Sequence, residues 1–199
     1  MNLLIVSEGP SELGDGVSPG ALENLLHGLI GDFTCKKRKV SDSRELLRLR
    51  GKGRGCFKRA VMWMRYARDN GFDGIVLVID QDDDPKRSSD LSEAQDYALS
   101  NCRRAFGVAI RTFDAWILAD DSALSTVLGT TIPRQPDPEQ IKDPKSECTR
   151  LRDASGKNID LRDMYAEVAS KADLDTIAER CPKGFRPFAD RVRRLTAVR

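Results

Sequence analysis

Residues 74–85 read GIVLVIDQDDDP, an abrupt passage from an apolar run to a cluster of carboxylates. Ile75 to Ile79 are five consecutive apolar residues, four of them β-branched, with no polar break. That is the pattern of a strand buried on both faces of a parallel sheet. Asp80, Asp82, Asp83 and Asp84 follow where the strand surfaces, and Pro85 bars its continuation as a central strand. Carboxylates crowded in this way favour a cation, a positive neighbour or open solvent. The carboxyl end of a central strand is also where open α/β sheets bind their ligands.

Outward from this stretch, strand and helix patterns alternate. Residues 2–7 form an apolar strand, followed by the turn EGPSE at 8–12 and a loop at 13–20 with three glycines and a proline, placed to drape over the strand end. Ser18 before Pro19 predicts a helix start, and Ala21, Leu22, Leu25, Leu26 and Leu29 recur at helical spacing until Gly31. Residues 33–40 read as a second strand. Its basic run KKRKV suits a sheet edge and also has the look of a nuclear-import signal. Ser41 or Ser43 begins a short helix with Leu46, Leu47 and Leu49. GKGRG at 51–55 opens a helix over 56–69, whose Phe57, Ala60, Val61, Met64 and Ala67 make one apolar stripe.

Beyond the central strand, Ser88 or Ser89 caps a helix containing Leu91, Ala94, Ala98, Leu99 and Cys102 that closes near 106–107. VAIRTF at 108–113 reads as a further strand, with Asp114 as N-cap of a single helix over 115–128. The expected fold is therefore α/β: a mainly parallel, Rossmann-like sheet of about four strands with helices on both faces, plus C-terminal helices. Pro133, Pro136, Pro138 and Pro144 mark a long connection over 130–144, and helices are expected over 160–170, 174–180 and 185–195. We divide the chain into an α/β domain, 1–128, and a connecting loop with a C-terminal helical extension, 129–199, packed on the same domain.

The formal charge is only +2, but it is segregated. From Lys36 to Arg68 there are thirteen Lys or Arg against Asp42 and Glu45, whereas 80–96 carry seven acids against Lys86 and Arg87. A polyanion held by one region and a metal by the other would suit this layout. The 5 cysteines are scattered without a CxxC pair, which argues against structural zinc and against a secreted disulfide framework. No apolar run is long enough to cross a bilayer, so a cytoplasmic protein with reduced thiols is expected.

Three strand ends deliver carboxylates: Glu8, the pair Asp80 and Asp82, and Asp114. Asp80 and Asp82 share a side if extended geometry persists through Gln81, because side-chain direction repeats every two residues. Oxygen donors of this kind suit Mg²⁺ or Mn²⁺. Such an ion can orient a phosphodiester and acidify an attacking water. Lys52, Arg54, Lys58, Arg65 and Arg68, away from the apolar stripe, are the candidates for contact with DNA or RNA phosphates. GKGRG lacks the spacing of a P-loop, and the one histidine, His27, supports no catalytic triad.

The motifs EGPSE and DQDDD together resemble the Toprim domain of topoisomerases, primases and the overcoming-lysogenization-defect nucleases. Within that set the chain looks closest to a bacterial branch with a Glu-x-Trp-x-x-Ala-Asp helix start and later Pro-Glu and Pro-Lys elements. Here these read Asp114, Trp116, Ala119 and Asp120, then Pro138 with Glu139, and Pro144 with Lys145. The resemblance implies a magnesium-dependent nuclease. Glu8 would be acid, base or metal ligand, Asp80 and Asp82 metal ligands, Asp114 a shortened counterpart of the family's Glu, and Lys145 a partner of the scissile phosphate. Ser11 and Glu12 would lie in the loop near the site. The rival expectation is a non-catalytic nucleic-acid-binding or regulatory component of a defence or repair complex, acting with a protein partner or as a homodimer. A receiver-like domain phosphorylated on Asp80 is a third.

Overall fold

Four strands, β1 (Asn2–Ser7), β2 (Thr34–Lys39), β3 (Gly74–Asp80) and β4 (Arg103–Ala109), pair in the order β2-β1-β3-β4, every pair parallel. The computed structural model describes residues 1–15, 18–42 and 55–197. The short helix expected after Ser41 or Ser43, and Lys52 and Arg54, lie outside the described residues.

The two central strands are those with unbroken apolar runs. Leu3, Ile5, Val76 and Val78 face one side of the sheet, while Leu4, Val6, Ile75, Leu77 and Ile79 face the other, all essentially without solvent contact. Each such side chain contributes roughly 1.5–3 kcal/mol on full burial, which fixes both strands at the centre of the sheet. β2 takes an edge, as its lysines allow: Lys37 bonds Glu23 at 2.9 Å while the strand's outer groups stay partly wet.

The described α-helices are α1 (Pro10–Leu13), α2 (Ala21–Ile30), α3 (Cys56–Asp69), α4 (Lys86–Asp96), α5 (Asp114–Leu118), α6 (Asp121–Leu128), α7 (Pro144–Ser155), α8 (Leu161–Lys171), α9 (Leu174–Arg180) and α10 (Phe185–Thr196). α2 packs on the Leu3–Ile5 face, and α3 and α4 on the opposite face. The chain leaves β1 toward β2 and leaves β3 toward β4, in opposite directions across the sheet. Crossovers of one hand then require helices on opposite faces. The gap between the carboxyl ends of β1 and β3 is the topological switch point, where side chains can gather around a ligand.

The last helices belong to the same apolar cluster as α2. Met164, Tyr165 and Val168 of α8 and Phe185, Phe188 and Val192 of α10 are buried with Leu3, Ile5 and Ala105. Trp116 anchors this layer, with its ring 5.3 Å from Phe188 and 5.1 Å from Phe185.

Four expectations need correction. α2 begins at Ala21 with Gly20 in the cap position, and Ser18 instead donates its N–H to Asp15. Glycine is required there because a Cβ on Gly20 would fall 2.3 Å from the Glu12 carbonyl oxygen. α4 starts at Lys86, before Ser88 and Ser89, and stops at Asp96, so Ala98, Leu99 and Cys102 lie outside it. β4 spans Arg103–Ala109, not 108–113. Its Gly107, a poor strand residue by itself, lies under Phe188, whose ring carbon would be 2.7 Å from an added Cβ.

Finally, the expected helix over 115–128 is two helices. Asp120 separates them, accepting the Ser122 and Ala123 N–H groups to cap α6 and the Asp173 N–H at 2.8 Å with its other oxygen. Asp114 is the first residue of α5 and not its N-cap, a place taken by Phe113. Among the described residues no helix is long and apolar enough to cross a membrane, and all five cysteines are free thiols.

Candidate functional site

Glu8 is the first residue after β1, and its carboxylate accepts the backbone N–H of Asp80, the last residue of β3, at 3.0 Å. The two strands flanking the switch point are thus tied at their carboxyl ends. Asp80 in turn accepts the N–H of Phe113 at 2.7 Å, which brings in the turn between β4 and α5. Asp114 follows in that turn, buried, with its carboxylate taking the phenolic hydrogen of Tyr165 from α8. Glu12 completes the group. It lies buried on α1 with its carboxylate on the Gly9 N–H.

These four acids are close enough to act on one another. Burial, chiefly, with the negative fields of Glu12, Glu8 and Asp114, pushes the Asp80 carboxyl up to about 8, against the lowering effect of the Phe113 N–H. Glu12 is raised as well, first by burial and then by Asp114 and Glu8, with the Gly9 N–H opposing. Paired acids that displace each other's proton affinity are a frequent mark of functional sites, although structural networks do the same.

One cation already stands among them. The Arg87 guanidinium, from α4, lies 2.8 Å from the Asp82 carboxylate and 3.4 Å from Glu8, and donates to the Asp80 carbonyl at 2.8 Å. Asp82 does not reach this position by strand alternation. The strand ends at Asp80, and Asp82 turns into the left-handed region at φ 51, its N–H on the Arg111 carbonyl at 2.8 Å. Asp83 and Asp84 stay outside the group, with Asp83 paired to Arg111 and Asp84 capping the Lys86 N–H. A cavity of about 380 Å³ opens beside the turn, lined among others by Asp82, Arg111, Glu139 and Lys183.

The other candidates are spread more widely. Lys145 is exposed on the first turn of α7, where its charge acts on Asp143. Lys58, Arg65 and Arg68 are exposed on α3, with Arg68 paired to Asp69 at 2.8 Å. Ser11 is half-buried on α1 beside Glu12. Among the described residues no three His, Cys, Asp or Glu side chains are arranged so that they could hold a metal ion.

No family model, curated protein or solved structure matches this chain. The likeness to Toprim therefore stands on its motifs alone, set in a parallel α/β sheet that many unrelated functions share.

Sequence reasoning placed Glu12 only in a neighbouring loop and gave Arg87 and Tyr165 no role. Arg87 had a signal, being one of two basic residues inside the acidic run. Tyr165 had none, because its position depends on α8 folding back over the sheet.

Proposed function

We propose that the chain hydrolyses phosphodiester bonds of nucleic acid with a divalent cation, Mg²⁺ or Mn²⁺, drawn to the acidic strand ends around Glu8 and Asp80. The observation that carries this reading is the bond of 3.0 Å joining Glu8 to Asp80 across the switch point, the place where an α/β sheet presents ligand-binding groups.

The donor chemistry fits a hard cation: Glu8, Glu12, Asp80 and Asp114 offer only carboxylate oxygen. The arrangement does not: among the described residues no three of these side chains converge on one point, Glu12 being turned to Gly9, Asp114 to Tyr165 and Glu8 to Arg87. When bound, such an ion orients a phosphodiester and lowers the pKa of an attacking water. Asp80 keeps its proton up to about pH 8 in the cation-free protein, so cation affinity is expected to rise with pH. In this reading Glu8 assists proton transfer, and Lys183 in the adjoining cavity, with Arg111 already paired to Asp83, adds positive charge for phosphate oxygens. The exposed basic side of α3 suits a phosphate backbone.

A second reading is favoured by one observation. Arg87 supplies the acids with a counter-ion of their own, as expected of a nucleic-acid-binding or regulatory component without turnover.

The deciding experiment incubates single- and double-stranded DNA and RNA with the protein and Mg²⁺ or Mn²⁺, comparing wild type with Asp80→Asn. Cleavage that disappears in the variant supports hydrolysis at this site, and cleavage undiminished by the substitution overturns it. Nucleic acid bound but not cut with either metal favours the second reading.

A further inference from the structure

The opposite end of the sheet carries a second concave surface. A cavity of about 820 Å³ opens at the amino ends of β3 and β4, between the last turns of α10 and the connection at 97–102. Asp73 precedes β3 and Arg103 begins β4, so the length of a strand, roughly 20 Å, separates this cavity from the acidic group. We infer that it binds a small phosphorylated ligand of about nucleotide size, held by Arg103, Arg104, Arg191 and Arg194.

All four arginines line the cavity. Each is steadied by a carbonyl oxygen, which orients a guanidinium without cancelling its charge. Arg103 donates to the Leu195 carbonyl at 2.8 Å, Arg191 to that of Phe106 at 2.8 Å, Arg104 to that of Tyr97 at 2.6 Å, and Arg194 to that of Asp190 at 3.1 Å. Among the described residues none of the four forms an ion pair, whereas Arg87, Arg111, Arg150, Arg152, Arg180 and Arg193 all do.

The acids nearby do not balance them. Asp73 lines the cavity but takes the Asn2 N–H at 2.7 Å, and Asp96 is the carboxylate whose field reaches Arg191. Burial lowers the proton affinity of Arg191, Asp96 works against that, and the neighbouring charge of Arg194 adds to it. Four guanidinium groups on one cavity, Arg103 and Arg194 exposed and Arg104 and Arg191 half-buried, repel one another and attract an anion.

A guanidinium carries five N–H donors in a planar fork that matches phosphate oxygens; the carbonyl contacts of Arg103, Arg191 and Arg194 use one group each, whereas Arg104 also meets the Leu99 carbonyl at 3.4 Å and the Met64 sulfur at 3.0 Å. The size of the cavity falls within the roughly 300–1,000 Å³ of small-molecule sites and exceeds what inorganic phosphate would fill. Phe72, Leu99 and Leu195 add apolar wall on which an uncharged part of the ligand can lie. A concave site of this volume suits a compact ligand better than an extended polymer backbone.

The test is calorimetric titration of the full chain with ADP, adenosine, inorganic phosphate and a short DNA duplex, on wild type, Arg194→Glu and Arg191→Gln. Arg194 is exposed and its bond lies within its own helix, so the first variant is expected to fold, with a thermal melt as the check. The expected result is ADP binding that weakens about tenfold or more in each variant, as befits the loss of a charged hydrogen-bond donor, and that weakens with added salt. Adenosine and inorganic phosphate should bind much more weakly than ADP. The inference is overturned if ADP does not bind, if both variants bind it as wild type does, or if phosphate alone binds as tightly. It is equally overturned if the duplex binds in preference to ADP and is lost in the same variants, which would assign the arginines to a phosphate backbone.

Discussion

Tyr165 donates its phenolic hydrogen to the carboxylate of Asp114, and by that bond the C-terminal helices reach the acidic end of the sheet. Tyr165 is 1% and Asp114 8% exposed, so neither group has ready access to water as a substitute. Tyr165→Phe removes the donor and leaves the acceptor buried. The expected loss of stability is about 1–3 kcal/mol, read as a lower urea midpoint with unchanged slope. A variant as stable as wild type would show that Asp114 has another donor in solution.

The proton affinity of Asp80 reports the geometry of its neighbours. A carboxyl carbon resonance followed by NMR should titrate near pH 8 in the wild type. Glu12→Gln and Glu8→Gln each remove a negative charge while keeping an acceptor for Gly9 or Asp80, and both should move the midpoint down. The larger movement is expected for Glu12→Gln, because Glu12 acts on Asp80 more strongly than Glu8 does. The reverse order would place Glu8 closer to the Asp80 side chain than described.

Stability should follow from the same shift. Asp80 holds its proton in the folded state up to about pH 8, whereas the unfolded chain releases it near the ordinary carboxyl value, 3.8. Between those values the folded state binds more protons, so this group's contribution falls as pH rises and levels off above the folded value. The limiting slope for one group is about 1.4 kcal/mol per pH unit, and Glu12, also raised, acts in the same direction. Denaturation at several pH values between 4 and 9 should show the decline. Asp80→Asn, neutral in both states, should flatten it, and an unaltered slope in that variant would assign the effect to other groups.

In the proposed function Arg87 and a divalent cation compete for the Glu8 carboxylate. Arg87→Gln removes a positive charge from beside Glu8 and Asp82, and Mn²⁺ affinity measured by electron paramagnetic resonance should rise several-fold. Interactions between unit charges at such distances amount to about 4 kcal/mol at an effective dielectric of 20, enough to detect after screening. A fall in affinity would instead make Arg87 a support that holds the carboxylates in place.

The parts of the fold legible in the sequence are those with strong local signals. β1, α3 and α9 have the expected limits, and β2 and α10 differ by a residue or so: an apolar run marks β1, helical periodicity marks α3, α9 and α10, and Gly55, Asn70 and Gly184 bound α3 and α10. β4 was misplaced because Val108, Ala109 and Ile110 look more like a strand than Arg103, Arg104 and Gly107 do. Gly107 sits in the strand to admit Phe188, 81 positions later in the chain, and no local pattern contains that requirement. The break at Asp120 is similar, since its second oxygen serves the Asp173 N–H, the entry to α9.

By itself the sequence determined the parallel α/β layering and the arrival of Glu8 and Asp80 at strand ends, since burial periodicity and chain direction are local properties read over a few residues. Only the tertiary structure decided which acids share a site. Glu12 and Asp114 join Asp80, Asp82 turns away toward Arg87, and Tyr165 closes the group from a distant helix. The reason is physical: the energy of a buried charge depends on every group within a few ångströms, and packing of remote segments chooses those groups.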